Sequence, residues 1–202
     1  MSERPRLVVF VRAPLLGTVK RRLAAGIGAA AARDFYAAAT GAVLRRVGRD
    51  ARWRTELRVT PDLYAVSGRF WDPALPRAPQ GSGNLGRRMT RAFLTGGRGP
   101  ALIVGSDIPD IAPHHIAAAF RALGAADAVF GPAADGGYWL VGLRRGALAR
   151  GLFDGVRWSS EHALADTLAN LRGKRVAMLE TLSDIDDAAD LAAWRDRRPA
   201  RR

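Results

Sequence analysis

The chain lacks cysteine altogether, has only two lysines (Lys20 and Lys174) among its 32 basic residues, and has three histidines. Without cysteine there are no disulfides, no thiolate nucleophile and no cysteine-ligated metal. His114, His115 and His162 show no triad or metal-ligand spacing. The first two fall in the opening turn of an expected helix and read as surface or cap-adjacent. No serine sits in a nucleophile-elbow pattern. In the loop between the first strand and the first helix, Arg12–Leu23, the spacing is neither Walker A nor G-x-G-x-x-G. No apolar run approaches the ~20 residues that cross a bilayer. Val8–Val11, after Arg4 and Arg6, is too short for the apolar region of a signal peptide. The expectation is a cytoplasmic protein with no membrane partner.

What is present is 202 residues, 48% of them hydrophobic, and a formal net charge of +13. That length suits one domain with a sizeable core. We place it at residues 1–194, followed by a basic flexible tail at 195–202. Strong positive charge raises nucleic acid as a partner. The arginines, however, are scattered from Arg4 to Arg202 rather than gathered in a stripe. A basic surface that attracts phosphorylated small molecules is the better reading, and no specific nucleic-acid partner is expected.

Apolar patterning predicts strands at Arg6–Val11, Arg54–Thr60, Ala101–Val104, Ala128–Phe130, Tyr138–Leu143 and Arg175–Leu179. Helices are predicted from Lys20, at Ala29–Val47, Leu85–Leu94, Pro113–Leu123, Glu161–Leu171 and Ala188–Asp196. Pro73–Gly83 reads as loop. Strands alternating with helices imply an α/β fold, a mostly parallel central sheet with helices on both faces in three layers.

Five segments carry chemistry. Gly105–Asp110 (GSDIPD) follows a buried strand, and Asp107 falls where open α/β sheets place ligands. It is a candidate for holding a divalent metal; the alternative is a turn cap beside Pro109. Arg12–Leu23 joins the first strand to the first helix. Gly17 permits close backbone approach, and Arg12, Lys20 and Arg22 add charge for phosphates near a helix start. Gln80–Met89 holds Gly81, Gly83 and Gly86, and Gln80 offers a donor and an acceptor to a base edge. On physical grounds alone a flexible turn is the preferred reading there. Gly131–Leu140 contains Asp135-Gly136-Gly137-Tyr138-Trp139, either a tight turn or an acceptor pocket with Asp135 as base or hydroxyl anchor. After the last strand, Asp184 or Asp186 is a second candidate metal ligand, and Asp187 is a candidate cap for the final helix.

Taken together and in order, these segments resemble a known family. The N-terminal match is Arg12-Ala-Pro14-Leu-Leu-Gly17-Thr-Val-Lys20-Arg21-Arg22-Leu23. It is followed by Gln80, Gly81, Leu85, Gly86, Arg88 and Met89, then by 105–110, 131–138, Val156–Ser159 and Asp184-x-Asp186. The set is similar to bacterial GT-A-type transferases described as radical-SAM/selenodomain-associated or arsenosugar-biosynthesis glycosyltransferases. These are related to molybdenum-cofactor guanylyltransferase and phospholactate guanylyltransferase.

The resemblance implies a nucleotide-diphospho-sugar transferase fold and a small-molecule nucleotide or nucleotide sugar as substrate. It implies Mg²⁺ or Mn²⁺ on Asp107 and Asp186, with Asp107, Asp135 and Lys20 in catalytic roles. Arg12, Pro14, Gly17, Lys20, Arg22, Gln80, Gly81, Gly86, Gly136 and Gly137 would bind the nucleotide or shape its pocket. Arg12 and Arg21 stand where the family has Lys and Thr, and Asn84 and Arg87 where acidic residues are common. An arginine keeps a lysine's charge but not its geometry.

The leading expectation is a metal-dependent glycosyl transferase with an unknown acceptor. Nucleotidyl transfer with release of pyrophosphate is the alternative, and a non-catalytic nucleotide-binding module is a third reading. Many such domains self-associate, so a homodimer is possible.

Overall fold

The structure, a computed structural model, describes residues 4–97 and 99–197. Seven strands form one sheet: β1 (Arg6–Arg12), β2 (Arg54–Thr60), β3 (Arg77–Pro79), β4 (Ala101–Gly105), β5 (Ala128–Pro132), β6 (Tyr138–Leu143) and β7 (Val176–Met178). Their order across the sheet is β3-β2-β1-β4-β6-β5-β7. Only β6 runs antiparallel to its neighbours, β4 and β5. The other pairings are parallel. The sheet is therefore mixed and mostly parallel, as expected.

Strand β1 shows why the sheet sits at the centre. Leu7, Val9 and Val11 face one layer and Val8 the other, and all four are buried. Covering on both faces suits near-continuous apolar strands of this kind. The first layer is α2 (Ala29–Val47) and α5 (Pro113–Ala122), which deliver Val43, Leu44, Val47, Ile116 and Ala119, with Leu123 just past the end of α5. The second layer is chiefly α4 (Leu85–Leu94), with Met89, Ala92 and Phe93, and α6 (Ala163–Ala169), whose Leu164 and Leu168 pack against it. A small third cluster joins α1 (Arg21–Ile27), α2 and α7 (Ala188–Asp196) through Leu23, Ala32, Ile185 and Leu191. A short helix, α3 (Tyr64–Ser67), follows β2.

Two segments depart from the expected pattern. Pro73–Gly83 is not all loop, because Arg77–Pro79 pairs with Leu57–Val59 as edge strand β3. With three residues and a terminal proline it carries no alternation, and proline is tolerated on an edge. The predicted Glu161–Leu171 helix is shorter, Ala163–Ala169. At the end of the chain, Arg195 and Asp196 lie in the last turn of α7. The remainder of the expected tail, 198–202, lies outside the described residues. No described helix is long and apolar enough to cross a membrane.

Candidate active site

Strands β2, β1 and β4 are adjacent and parallel, so their carboxyl ends share one sheet edge. The register sets Arg12 opposite Thr60 and Phe10 opposite Gly105. The chain beyond β1 and β4 therefore opens into the same crevice, where ligands of open α/β sheets bind. A cavity of about 790 Å³ lies there, lined by Arg12, Lys20, Arg21, Arg22, Gln80, Arg88, Asp107, Ser159 and Asp186, among others. Its size is ordinary for a nucleotide-sized ligand.

The first element of the site is an acidic cluster. Asp107, Asp184 and Asp186 each offer a carboxylate oxygen within 4.8 Å of the others. An all-oxygen set suits a hard divalent cation such as Mg²⁺ or Mn²⁺. Lys20 sits between two of these groups, with Nζ donating to Asp107 Oδ2 at 2.9 Å and to Asp186 Oδ1 at 2.8 Å. Arg22 engages the other oxygen of Asp186.

The titration behaviour follows from this crowding. Burial pushes the Asp184 carboxyl up, and Asp186, Asp107 and Asp135 add to it against the pull of Lys20, reaching about 6. Burial also works to raise Asp186, but Lys20 and Arg22 outweigh it and hold Asp186 below the usual carboxylate range. Burial opposes the charge on Lys20, yet Asp107 and Asp186 together raise it above an ordinary lysine. Three carboxylates facing two cations, Lys20 and the exposed Arg22, thus keep an excess of negative charge, and the oxygen donor set fits a divalent ion.

Helix α2 braces the crevice from below. Tyr36 Oη accepts from the Arg12 backbone N–H at 2.9 Å and lies 3.1 Å from Ser106 Oγ. Thr40 donates to the Ser106 carbonyl at 3.3 Å. These contacts tie the carboxyl end of β1 to the loop after β4. Sequence reading misses them because Tyr36 lies on the apolar stripe of α2 and reads as core. It also misses Ser159, Arg21 and Arg88 as cavity residues. Ser159 holds φ at 58°, and a positive φ in a serine beside a cavity is a signal that only the backbone reveals.

The remaining predicted residues divide. Lys20 itself, with φ 47° and ψ 54°, is the N-cap residue of α1, a helix of only seven residues, and makes no side-chain cap hydrogen bond. Gly17 has φ +74° and open space around it. The loop at Pro14 starts with the Ala13 N–H donating to Thr60 O at 2.8 Å. Gln80 lines the cavity but is buried, and its amide spends both N–H groups on the Val11 and Arg58 carbonyls, at 3.1 and 2.9 Å. Only its acceptor oxygen is left for a base, not the donor and acceptor pair expected.

Gly81 and Gly86 do not line the cavity. The Gly81 N–H donates to Asp62 at 3.0 Å. A side chain at Gly86 would lie 2.7 Å from Phe153 Cβ and 3.0 Å from Trp158 Cζ2, so packing accounts for this glycine. Asp135-Gly136-Gly137 forms the β5–β6 turn, where Asp135 accepts from the Gly137 N–H at 2.9 Å. The tight-turn reading of that segment is what the structure shows; Asp135, Gly136 and Gly137 do not line the cavity, although the Asp135 charge adds to the upward shift of Asp184. Asp187 is the cap of α7, accepting from Asp190 N at 2.9 Å. Asp110 accepts from Trp194 Nε1 at 3.1 Å and so anchors that helix rather than the site.

The second imidazole–carboxylate group, His114, His115 and Glu180, has ligand-like proximity. His115 Nδ1 accepts from the Ala112 N–H at 2.9 Å, which places the proton of the neutral ring on Nε2, facing Glu180 at 3.0 Å. Both ring nitrogens are thereby engaged in holding the start of α5, in line with the cap-adjacent reading.

A mixed seven-stranded sheet of this order, with its crevice at the carboxyl edge, is the nucleotide-diphospho-sugar transferase fold. Residues 43–160 match the family described as "Uncharacterized protein conserved in bacteria (DUF2064)", and the chain belongs to that family. A candidate nucleotide-diphospho-sugar transferase from Desulfovibrio desulfuricans G20 is 29% identical, with a TM-score of 0.88 over 98% of this chain and 90% of that one. The 4-diphosphocytidyl-2C-methyl-D-erythritol synthase of Anaerococcus prevotii DSM 20548 superposes with a TM-score of 0.64 at 11% identity, covering 96% and 99% of the two chains. Rv0371c of Mycobacterium tuberculosis H37Rv, in complex with manganese, gives 0.58 at 16% identity, covering 96% and 98%. The last two share the fold. No curated protein matches the chain.

Proposed function

We propose that the protein is a metal-dependent transferase acting on a nucleotide-activated sugar. The observation that carries this reading is the meeting of Asp107, Asp184 and Asp186 with Lys20 at the rim of a cavity lined by guanidinium groups. Asp107 and Asp186 are the proposed ligands of Mg²⁺ or Mn²⁺, and the ion supplies charge against the leaving diphosphate. Lys20, Arg12 and Arg22 take phosphate oxygens, with the Pro14–Gly17 loop alongside. Gln80 presents its oxygen towards the base. Asp135, on its Gly136–Gly137 turn, holds the acceptor hydroxyl or takes its proton. The resemblance of the motifs to the radical-SAM-associated, arsenosugar-type transferases belongs to this proposal, as does action as a single cytoplasmic domain over residues 1–194. The candidate activity of the Desulfovibrio relative and the manganese bound to the mycobacterial one support it.

One observation favours a second reading, nucleotidyl transfer from a nucleoside triphosphate. Among the described residues, the side chains of Arg12 and Arg21 line the cavity without a carboxylate partner, more cationic charge than a diphosphate with its metal requires. A screen of nucleotide sugars and triphosphates with Mn²⁺, read by sugar-nucleotide hydrolysis and by pyrophosphate release, separates the two. Hydrolysis without pyrophosphate supports the first; pyrophosphate release with a phosphorylated acceptor supports the second. Asp107→Asn should lower metal affinity by more than the ~10–100-fold that follows loss of an outer-shell partner. Unchanged Mn²⁺-dependent binding in that variant would remove the metal assignment.

A further inference from the structure

We propose that Lys20 is an internal counter-cation that occupies the metal position until a phosphate draws its ammonium away, so that metal and nucleotide bind as a coupled pair. This rests on the metal reading above. The Lys20 ammonium lies 2.9 Å from Asp107 and 2.8 Å from Asp186, and its side chain is 6% exposed. Asp186 has one oxygen on Lys20 and the other on Arg22. A dication reaching these carboxylates therefore meets an ammonium already bonded to both of its proposed ligands. At hydrogen-bond range from the same carboxylates the two positive charges repel, so the lysine must leave as the ion enters.

The same lysine has somewhere to go. Its backbone is set in the left-handed region at the cavity rim, and a flexible four-carbon stem can redirect the ammonium. The cavity beyond carries Arg12, Arg21 and Arg88, an environment that attracts phosphate. A buried ammonium needs an anion in either position. It finds carboxylates when the cavity is without phosphate and finds phosphate oxygens when a nucleotide is present. Each ligand then prepares the site for the other, and linkage makes the effect equal in both directions.

Lys20→Met removes the ammonium and keeps the stem. Mn²⁺ binding without nucleotide, followed by electron paramagnetic resonance of the free ion, should be tighter in Lys20→Met than in the native chain by about tenfold or more. Equal or weaker binding in a folded variant overturns the proposal and leaves the metal site standing. No binding in either protein, with or without a nucleoside diphosphate, would sink the metal reading and the proposal with it. A second readout needs no variant. With only two lysines, Lys20 and the exposed Lys174, ¹⁵N-lysine labelling leaves two side-chain signals to follow. Mg²⁺ with a nucleoside diphosphate should move the Lys20 signal and leave Lys174 in place. A Lys20 signal unchanged at saturation contradicts the proposed exchange.

Discussion

Two glycines with similar backbone angles show how residue-level costs differ. Gly17 has φ +74° with nothing within 4 Å of an added Cβ, whereas Gly136 has φ +82° with the Glu161 backbone 2.2 Å from that point. Gly17→Ala should cost about 1–2 kcal/mol, the penalty of the left-handed conformation alone. Gly136→Ala adds a backbone clash and should cost clearly more, with the β5–β6 turn displaced. Urea midpoints of the two variants compare them directly, and equal losses would refute the packing argument. The same contrast marks what a sequence can tell at this scale. A glycine announces that something special happens, but whether the reason is a turn, a ligand or a neighbouring chain depends on residues far away. Gly86 reads as a ligand position and is a packing position against Phe153 and Trp158. Asp107 is legible because few structural roles call for a charged group just past a buried strand, whereas Lys20 and Asp186 stand out only through the order of motifs, and the fold brings all three together. Tyr36 is not legible, since a tyrosine on an apolar helical stripe looks like core until the segments it bridges are known.

Capping and loop anchoring act through whole elements. The start of α7 is fixed by a reciprocal box: Asp187 accepts from Asp190 N at 2.9 Å, and Asp190 accepts from Asp187 N at 3.2 Å. Asp187→Ala should destabilise by about 1 kcal/mol. Because Asp190 also accepts from the Asp186 N–H at 3.0 Å, the cap is coupled to a candidate metal ligand. Thermal melting and Mn²⁺ affinity should therefore both fall in Asp187→Ala; a fall in melting alone would show that the cap does not position Asp186.

The segment between the 3₁₀ turn Gly146–Ala149 and α6 is held by Arg157, which binds both oxygens of Asp166. That hydrogen bonding holds the Asp166 carboxyl down at about 2. The sign follows: its contribution is complete above the ordinary carboxylate value near 3.8 and is lost as pH falls through about 2. Arg157→Gln should flatten the part of the acid melting profile in that window. Elements are also the most legible level of the sequence. The bounds of α2, β2, α4, β6 and α7 agree with the apolar pattern. Strand direction is not legible, because β6 is buried on both faces and its composition is the same whichever way it runs.

At the scale of the molecule, the +13 charge is spread widely enough to attract any polyanion. Binding to arbitrary duplex DNA should be measurable at low salt, show no sequence preference in fluorescence anisotropy, and weaken steeply between ~50 and ~200 mM salt. A sequence-selective, salt-tolerant complex would contradict the small-molecule reading. The reversal of β6 also has a geometric consequence. It lets β5 and β7 run parallel to β4, so the loops after six strands, the β5–β6 turn among them, all emerge on one edge. The opposite edge, where β1 begins at Arg6, carries none of the candidate chemistry. A chain tethered to a surface at the edge where β1 begins would thus present the rim of its candidate site to solution, a ready orientation for immobilised assays.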